Sequence, residues 1–146
     1  MLDEERILAK LDELEGYLAE LHAIAPENLK EYRRIEKKRS CERLLQLCIE
    51  CVIDMCRILV SGLRLGLPAD ENDLFEKLNK NGIVTPSVKR LLRQMRGFRN
   101  ILLHEYASVD DELVFKYVKT RLGDFEKIRK QILDVLKRPG NKRGKR

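Results

Sequence analysis

The sequence predicts an all-α protein, an up-and-down bundle of about five helices. Leucine, isoleucine, lysine, glutamate and arginine dominate the 146 residues, proline is rare and tryptophan is absent; this composition is typical of helical proteins. Apolar residues recur at three- and four-residue intervals, and no long stretch alternates apolar and polar residues as a half-buried strand would. The length suits one domain, which we expect to span 1–136.

The first predicted helix covers 3–24. Ile7 and a series of leucines form one apolar stripe along it, and Pro26 ends it. His22 lies near its end. No second histidine, cysteine or acid stands at metal-binding spacing from His22, so we interpret it as a surface or cap residue.

The second predicted helix is long, covering 27–66. Its opening, 32–43, is heavily charged and is expected to be exposed, whereas the apolar arc that begins at Leu44 is wide enough to be covered on two sides. This helix holds all four cysteines. Cys48 and Cys51 form a C-x-x-C pair, but no second pair or histidine lies nearby, so we interpret the cysteines as core residues rather than a metal or redox site.

A polar ribbon remains on this helix. It has two interpretations: a solvent face, or the lining of a dimer cleft in which Glu50 pairs with a buried cation. The ribbon consists of Arg43, Glu50, Asp54, Arg57 and Ser61.

Three shorter helices follow. The third is predicted over 70–81, between an Asp cap and Gly82. Thr85-Pro86 starts the fourth helix with a cap and a proline at the first helical position. The last helix is predicted over about 109–136, opened by a capping box of Ser108 and Asp111.

The fourth helix carries an arginine where an apolar residue is expected. Val88, Leu92 and Met95 define its buried face, and Arg99 falls on that same face. An unpaired buried charge is too costly to persist. Arg99 therefore must be paired with an anion or line a cleft, and Glu50 on the polar ribbon is the candidate partner within the fold.

His104 follows five residues after Arg99. In a continuous helix the two would lie about 140° apart around the axis. If the helix ends between them and the chain extends, His104 and Tyr106 project to one side and can turn back toward Arg99. The sequence therefore predicts a helix end and a turn at which a fixed cation, an imidazole and a phenol converge.

The pattern Arg-x4-His-x-Tyr of Arg99, His104 and Tyr106, with Asn100 after the arginine, resembles the active-site signature of the HEPN superfamily. It is most similar to the HepT-like branch, small helical toxin nucleases encoded beside minimal nucleotidyltransferase antitoxins. The resemblance covers about 3–136. It extends to Arg43-Leu44-Leu45-Gln46 through Glu50, to Asn81-Gly82-Ile83-Val84, to Arg96-Gly97-Phe98 before the motif, and to Asp110-Asp111-Glu112.

The resemblance implies a metal-independent endoribonuclease that needs no cofactor and acts as a homodimer, with two motifs across one cleft. It implies that His104 is the general acid or base and Arg99 the phosphate clamp. Asn100, Tyr106 and Glu50 would be auxiliary groups that contact phosphate or base, and Tyr106 would also receive AMP from the antitoxin. Imidazole can transfer a proton near neutral pH, and a guanidinium can donate hydrogen bonds to two phosphate oxygens at once.

Three alternatives remain open at this point. The chain could be a non-catalytic helical module that binds a nucleotidyltransferase or its nucleotide substrate. It could be a purely structural interaction protein. The motif residues could also simply tie the fourth helix to the fifth through hydrogen bonds.

The net charge of +6 belongs to the end of the chain. Six of the 30 basic residues lie in 137–146, which holds no acid, and the other 24 balance the 24 acidic residues. We predict that 137–146 is a disordered tail, which either solubilises the protein or adds non-specific attraction to RNA. The chain opens with acidic residues and holds no apolar run of about 20 residues, so a cytoplasmic location and no membrane partner are expected.

Overall fold

The computed structural model describes residues 2–104 and 109–138. Within these ranges the chain is helical apart from its caps and connections, which confirms the predicted all-α class. The seven helices of these ranges are α1 (Glu4–Ile24), α2 (Leu29–Tyr32), α3 (Ile35–Gly62), α4 (Glu71–Lys80), α5 (Pro86–Leu103), α6 (Asp111–Thr120) and α7 (Gly123–Lys137).

Helix α3 is the centre of the bundle. It contacts α1 along much of its length, and it also contacts α4, α5 and α6. Twelve of its residues are buried, which confirms that it is covered on more than one side. All four cysteines are buried thiols, as their interpretation as core residues requires.

The predicted second helix is in fact two helices, α2 and α3. Arg34 has an extended backbone, with φ −62° and ψ 130°, and breaks the helical path. The break directs Tyr32 into the core, where it is fully buried and its ring centroid lies 6.2 Å from that of Phe115. The expectation that 32–43 lies exposed is therefore wrong at Tyr32 and at Cys41, both of which are fully buried. Burial of the Tyr32 ring outweighs continuation of the helix.

The predicted last helix is also two helices, α6 and α7. Arg121 ends α6, and its side chain has partners on both sides of the break. Its Nε donates to Asp124 Oδ2 at 2.7 Å, and its Nη2 donates to Gln94 Oε1 at 2.8 Å. The single helix over 109–136 is a wrong prediction: the backbone leaves the helix at Arg121, with φ −115° and ψ 2°, and α7 begins at Gly123.

Helix α7 continues through Lys137, so the predicted boundary between domain and tail falls inside its last turn. Arg138 Nη1 donates to the Gly82 carbonyl oxygen at 3.1 Å. The rest of the predicted tail, 139–146, lies outside the described residues. None of the helices in the described ranges is long and apolar enough to cross a membrane.

The predicted end of the second helix at 66 is wrong, because α3 ends at Gly62, and the cap of α6 is Asp110 where Ser108 was predicted. The boundaries predicted for α4 and for the start of α5 are confirmed. Asp70 caps α4 by accepting from Asp73 N at 2.8 Å, and Thr85 caps α5 ahead of Pro86. Between α3 and α4 the chain turns at Gly66, whose φ of +112° is one that glycine adopts readily. This turn places the first residues of α4 beside α5.

Candidate active site

Helix α5 ends at Leu103, between Arg99 and His104, as the sequence predicts. His104 is its C-cap residue: the backbone leaves the helix at ψ 89°, and the His104 N–H donates to the Ile101 carbonyl oxygen at 3.3 Å. His104 is exposed, whereas the Arg99 side chain is only 12% exposed. Tyr106 and Ser108 lie outside the described residues, and Asp110 is the N-cap of α6.

Aromatic stacking fixes the end of α5 in the bundle. The ring of Phe98 stacks on that of Tyr117 from α6, with centroids 4.3 Å apart and planes 6° from parallel. The Arg121 guanidinium lies 5.8 Å from the Tyr117 ring centroid, on the ring face. Arg99 therefore follows a residue that is locked between two helices, which limits the positions its guanidinium can take.

Arg99 has the anionic partner that its position requires, but the partner is Glu71. Arg99 Nη2 donates to Glu71 Oε1, and Arg99 Nε donates to Asn100 Oδ1 at 3.1 Å. Glu50 instead accepts from Gln46 Nε2 at 2.9 Å. The prediction that Glu50 pairs with Arg99 within the fold is wrong, because the start of α4 faces Arg99. A place for Glu50 in a dimer cleft stays a prediction.

Two further arginines bind the same carboxylate. Arg96 Nε donates to Glu71 Oε1 at 3.0 Å, and Arg57 Nη2 donates to Glu71 Oε2 at 2.7 Å. Arg57 also reaches Asp54, with Nη1 3.0 Å from Oδ1. We call Arg57, Arg96 and Arg99 the arginine cluster. It joins α3 and α5 to α4 through one acidic side chain.

The arginine cluster changes the acidity of Glu71. Partial burial by itself would raise the pKa of the Glu71 carboxyl. Hydrogen bonds from Arg99 and Arg96 and the charge of Arg57 outweigh that effect and hold the pKa below its ordinary value of 4.5. Glu71 is therefore an anion at neutral pH.

Sequence reasoning missed the cluster around Glu71. Arg96 is three residues before Arg99 and so lies next to it on the helix, which is a usable signal. Arg57 belongs to the predicted polar ribbon, which is thus not merely a solvent face. Glu71 carried no such signal, because an acid in the first turn of a helix is ordinary on its own.

A groove of about 710 Å³ opens beside the arginine cluster, between the end of α3 and the start of α4. Its walls are largely apolar, and Leu67 at its edge is 94% exposed. Arg57 and Glu71 form its boundary with the cluster. Among the described residues, no group of three or more histidine, cysteine, aspartate or glutamate side chains is arranged to hold a metal ion.

Fold and site together define a helical-bundle protein in which a fixed cluster of cations lies at the end of the helix that carries an exposed histidine. Such a site suits a phosphate group and proton transfer beside it. Residues 7–132 match the sequence pattern of the ribonuclease HepT-like family, so the chain belongs to the HepT-like family. By family it is an RNase, an enzyme acting on phosphodiester bonds.

Individual relatives agree with this assignment. The chain is 34% identical over 93 residues to the mRNA nuclease HepT of Shewanella oneidensis, covering 64% of this chain and 67% of that one. It is 30% identical over 131 residues to the tRNA nuclease HepT of Aphanizomenon flos-aquae, covering 89% of each. A solved structure of the tri-AMPylated Shewanella oneidensis HEPN toxin in complex with its MNT antitoxin superposes with a TM-score of 0.82, at 25% identity, over 88% of this chain and 97% of that one. These matches confirm the HepT-like resemblance and the HEPN fold.

Proposed function

We propose that this protein is a metal-independent endoribonuclease and the toxin of a toxin–antitoxin pair, active in the cytoplasm as a homodimer. The observation that carries the proposal is the end of α5, where the nearly buried, clustered guanidinium of Arg99 is followed five residues later by the exposed His104. The matched relatives named as mRNA and tRNA nucleases support the same activity.

The chemistry follows from the two side chains. The RNA 2′-oxygen attacks the adjacent phosphorus while the bond to the 5′-oxygen breaks, and negative charge builds on the phosphate oxygens. Arg99 stabilises that charge through its two-pronged guanidinium. His104 accepts the proton of the 2′-OH or gives one to the leaving 5′-oxygen.

Auxiliary groups complete the proposed site. The Asn100 amide oxygen accepts from Arg99, so its NH₂ group is the part that donates to phosphate. Tyr106 binds phosphate or stacks on a base. Glu50 acts from a dimer cleft that brings the two motifs together.

The test is cleavage of RNA by the purified chain in the presence of EDTA. We expect His104→Ala and Arg99→Ala each to lower the rate by about 100-fold or more, the scale of a lost acid–base or electrostatic contribution. Arg90→Ala is the matched control, because Arg90 is an exposed arginine on the same helix. Equal cleavage by the parent and both site variants would rule out these roles. Absence of cleavage by the parent would favour the non-catalytic module that binds a nucleotidyltransferase or its nucleotide.

We further propose that a cognate minimal nucleotidyltransferase antitoxin attaches AMP to Tyr106 and thereby blocks the cleft by bulk and negative charge. The AMPylated state of the solved Shewanella oneidensis HEPN toxin supports this regulation. Intact mass of the chain co-expressed with the nucleotidyltransferase should show added AMP, and Tyr106→Phe should lose it. An unchanged mass pattern in Tyr106→Phe would place the modification elsewhere.

A further inference from the structure

We propose that the arginine cluster is a binding site for RNA backbone phosphate that extends beyond Arg99, and that Glu71 occupies this site as an internal anion in the free protein. Arg57 and Arg96 are then phosphate ligands, and Glu71 is a positioning residue that RNA displaces. This inference rests on the proposed function, because it assumes that the anion which Arg99 binds is an RNA phosphate.

The geometry resembles that of a bound phosphate. Glu71 Oε1 accepts from Arg99 and from Arg96, the latter at 3.0 Å, and Glu71 Oε2 accepts from Arg57 at 2.7 Å. A phosphodiester likewise presents two charged oxygens on one atom and carries one negative charge. Guanidinium groups that grip a carboxylate in this way also fit a phosphate.

The net charge of the site allows a phosphodiester to replace the Glu71 carboxylate. The ion-pair network around the cluster has four cations, the three arginines and Lys10, and three anions, Glu71, Asp54 and Glu13. It therefore carries one net positive charge. Replacing the Glu71 carboxylate by one phosphodiester keeps that balance. A second phosphate would neutralise the remaining charge, so the cluster suits consecutive phosphates of one strand.

Exposure sets the order in which the ligand meets the cluster. The side chain of Arg57 is 51% exposed and that of Arg96 is 31% exposed, against 12% for Arg99. An incoming strand can therefore contact Arg57 and Arg96 before Glu71 leaves Arg99. The two outer arginines guide the phosphate to the inner one.

The structure leaves space for the Glu71 side chain once RNA displaces it. It lines the groove beside the cluster, so its side chain can rotate into that space while α4 stays in place. It lies in the first turn of α4, where the positive end of the helix dipole stabilises an acid without any arginine. Displacing Glu71 therefore does not leave a buried unpaired charge.

The experiment measures binding of a short labelled single-stranded RNA to chains that all carry His104→Ala, so that the probe is not cut. At low salt we expect Arg57→Ala and Arg96→Ala each to weaken binding about tenfold, the loss of one charge-assisted contact. Each should also make the slope of log K against log salt concentration, which is negative, shallower by about 0.7. Glu71→Gln should tighten binding several-fold, because it removes the competing charge and keeps the side-chain shape.

Arg90→Ala is the matched control. Its affinity for RNA should equal that of the parent apart from the small, non-specific loss caused by removing one positive charge. Thermal melts followed by circular dichroism establish that each variant is folded. Arg57→Ala keeps the test valid if Glu71→Gln does not fold, because it leaves Glu71 with two arginine partners.

The outcomes separate the two proposals. If Arg99→Ala weakens binding while Arg57→Ala and Arg96→Ala do not, the extended site is wrong and the proposed function stands. Weaker binding by folded Glu71→Gln would overturn the internal-anion role. If the parent does not bind RNA, or Arg99→Ala binds as tightly as the parent, both proposals fail.

Discussion

Three guanidinium groups and partial burial act in opposite directions on a single carboxyl group, that of Glu71. Burial favours its neutral form, whereas the arginine cluster favours the anion and prevails. The paired carboxylate is thus part of what holds α3, α4 and α5 together at the site. A shifted pKa of this kind makes folding stability depend on pH.

We predict that Glu71 contributes stability above its ordinary pKa of 4.5 and that this contribution disappears in acid. The pKa is lower in the folded chain than in the unfolded one, so the contribution is complete above the unfolded value and is lost as the pH falls through the folded value. Melting temperatures measured from neutral pH to about pH 3 should fall more steeply for the parent than for Glu71→Gln. Parallel curves would contradict the role of Glu71 as a stabilising anion.

Arg99 shows how far local sequence can define a site. Its spacing from Leu92 and Met95 places it on the buried face of α5, and that placement alone requires an anionic partner. Which carboxylate fulfils this requirement depends on the turn at Gly66 and on the cap at Asp70, which together aim α4 at α5. The partner is 28 residues away in sequence, so no local pattern indicates it.

At the scale of helices, hydrophobic periodicity predicted the elements that end at a proline, a glycine or a polar cap. It missed two breaks, one after Tyr32, which has no such signal, and one at Arg121, where Gly123 follows two residues later. In both places a long-range contact decides the backbone: Tyr32 with Phe115, and Arg121 with Gln94. Hydrophobic periodicity describes one helix at a time and gives no information about contacts between helices.

Helix α3 gives a prediction about thiol reactivity. Burial is the main reason that the pKa rises to about 12 for the Cys48 and Cys56 thiols and to about 11 for the Cys51 thiol. Because the thiolate is the reactive form, we expect these groups to react with Ellman's reagent at mildly alkaline pH at least about 100-fold more slowly than in the unfolded chain. The same protein in guanidinium chloride is the control. Rapid reaction of the folded chain would mean that α3 is less well covered than its burial indicates.

At the scale of the whole molecule, six large apolar side chains of the described residues are exposed, and those at the end of α5 bear on the proposed dimer. Ile101 is 43% exposed and Leu103 is 46% exposed, and both lie in the last turn of α5 beside His104. Leu113, near the start of α6, is 42% exposed. Exposed apolar side chains grouped around a proposed site are a common sign of an interface. If two motifs face each other across one cleft, this end of α5 lies at or near the contact between the two copies.

We therefore predict that Ile101→Asp shifts the proposed dimer toward monomer and lowers RNA cleavage in parallel. The substitution should cost the isolated fold little, because the side chain is already exposed, but it would bury a charge in the assembly. Leu8→Asp is the matched control: Leu8 is 47% exposed and lies on α1. Light scattering coupled to size exclusion measures the mass, and cleavage is assayed on the same fractions. A parent chain that is monomeric at all accessible concentrations would contradict the dimer. An Ile101→Asp variant that stays dimeric and fully active would place the contact on another face, with the polar ribbon around Glu50 the next surface to substitute.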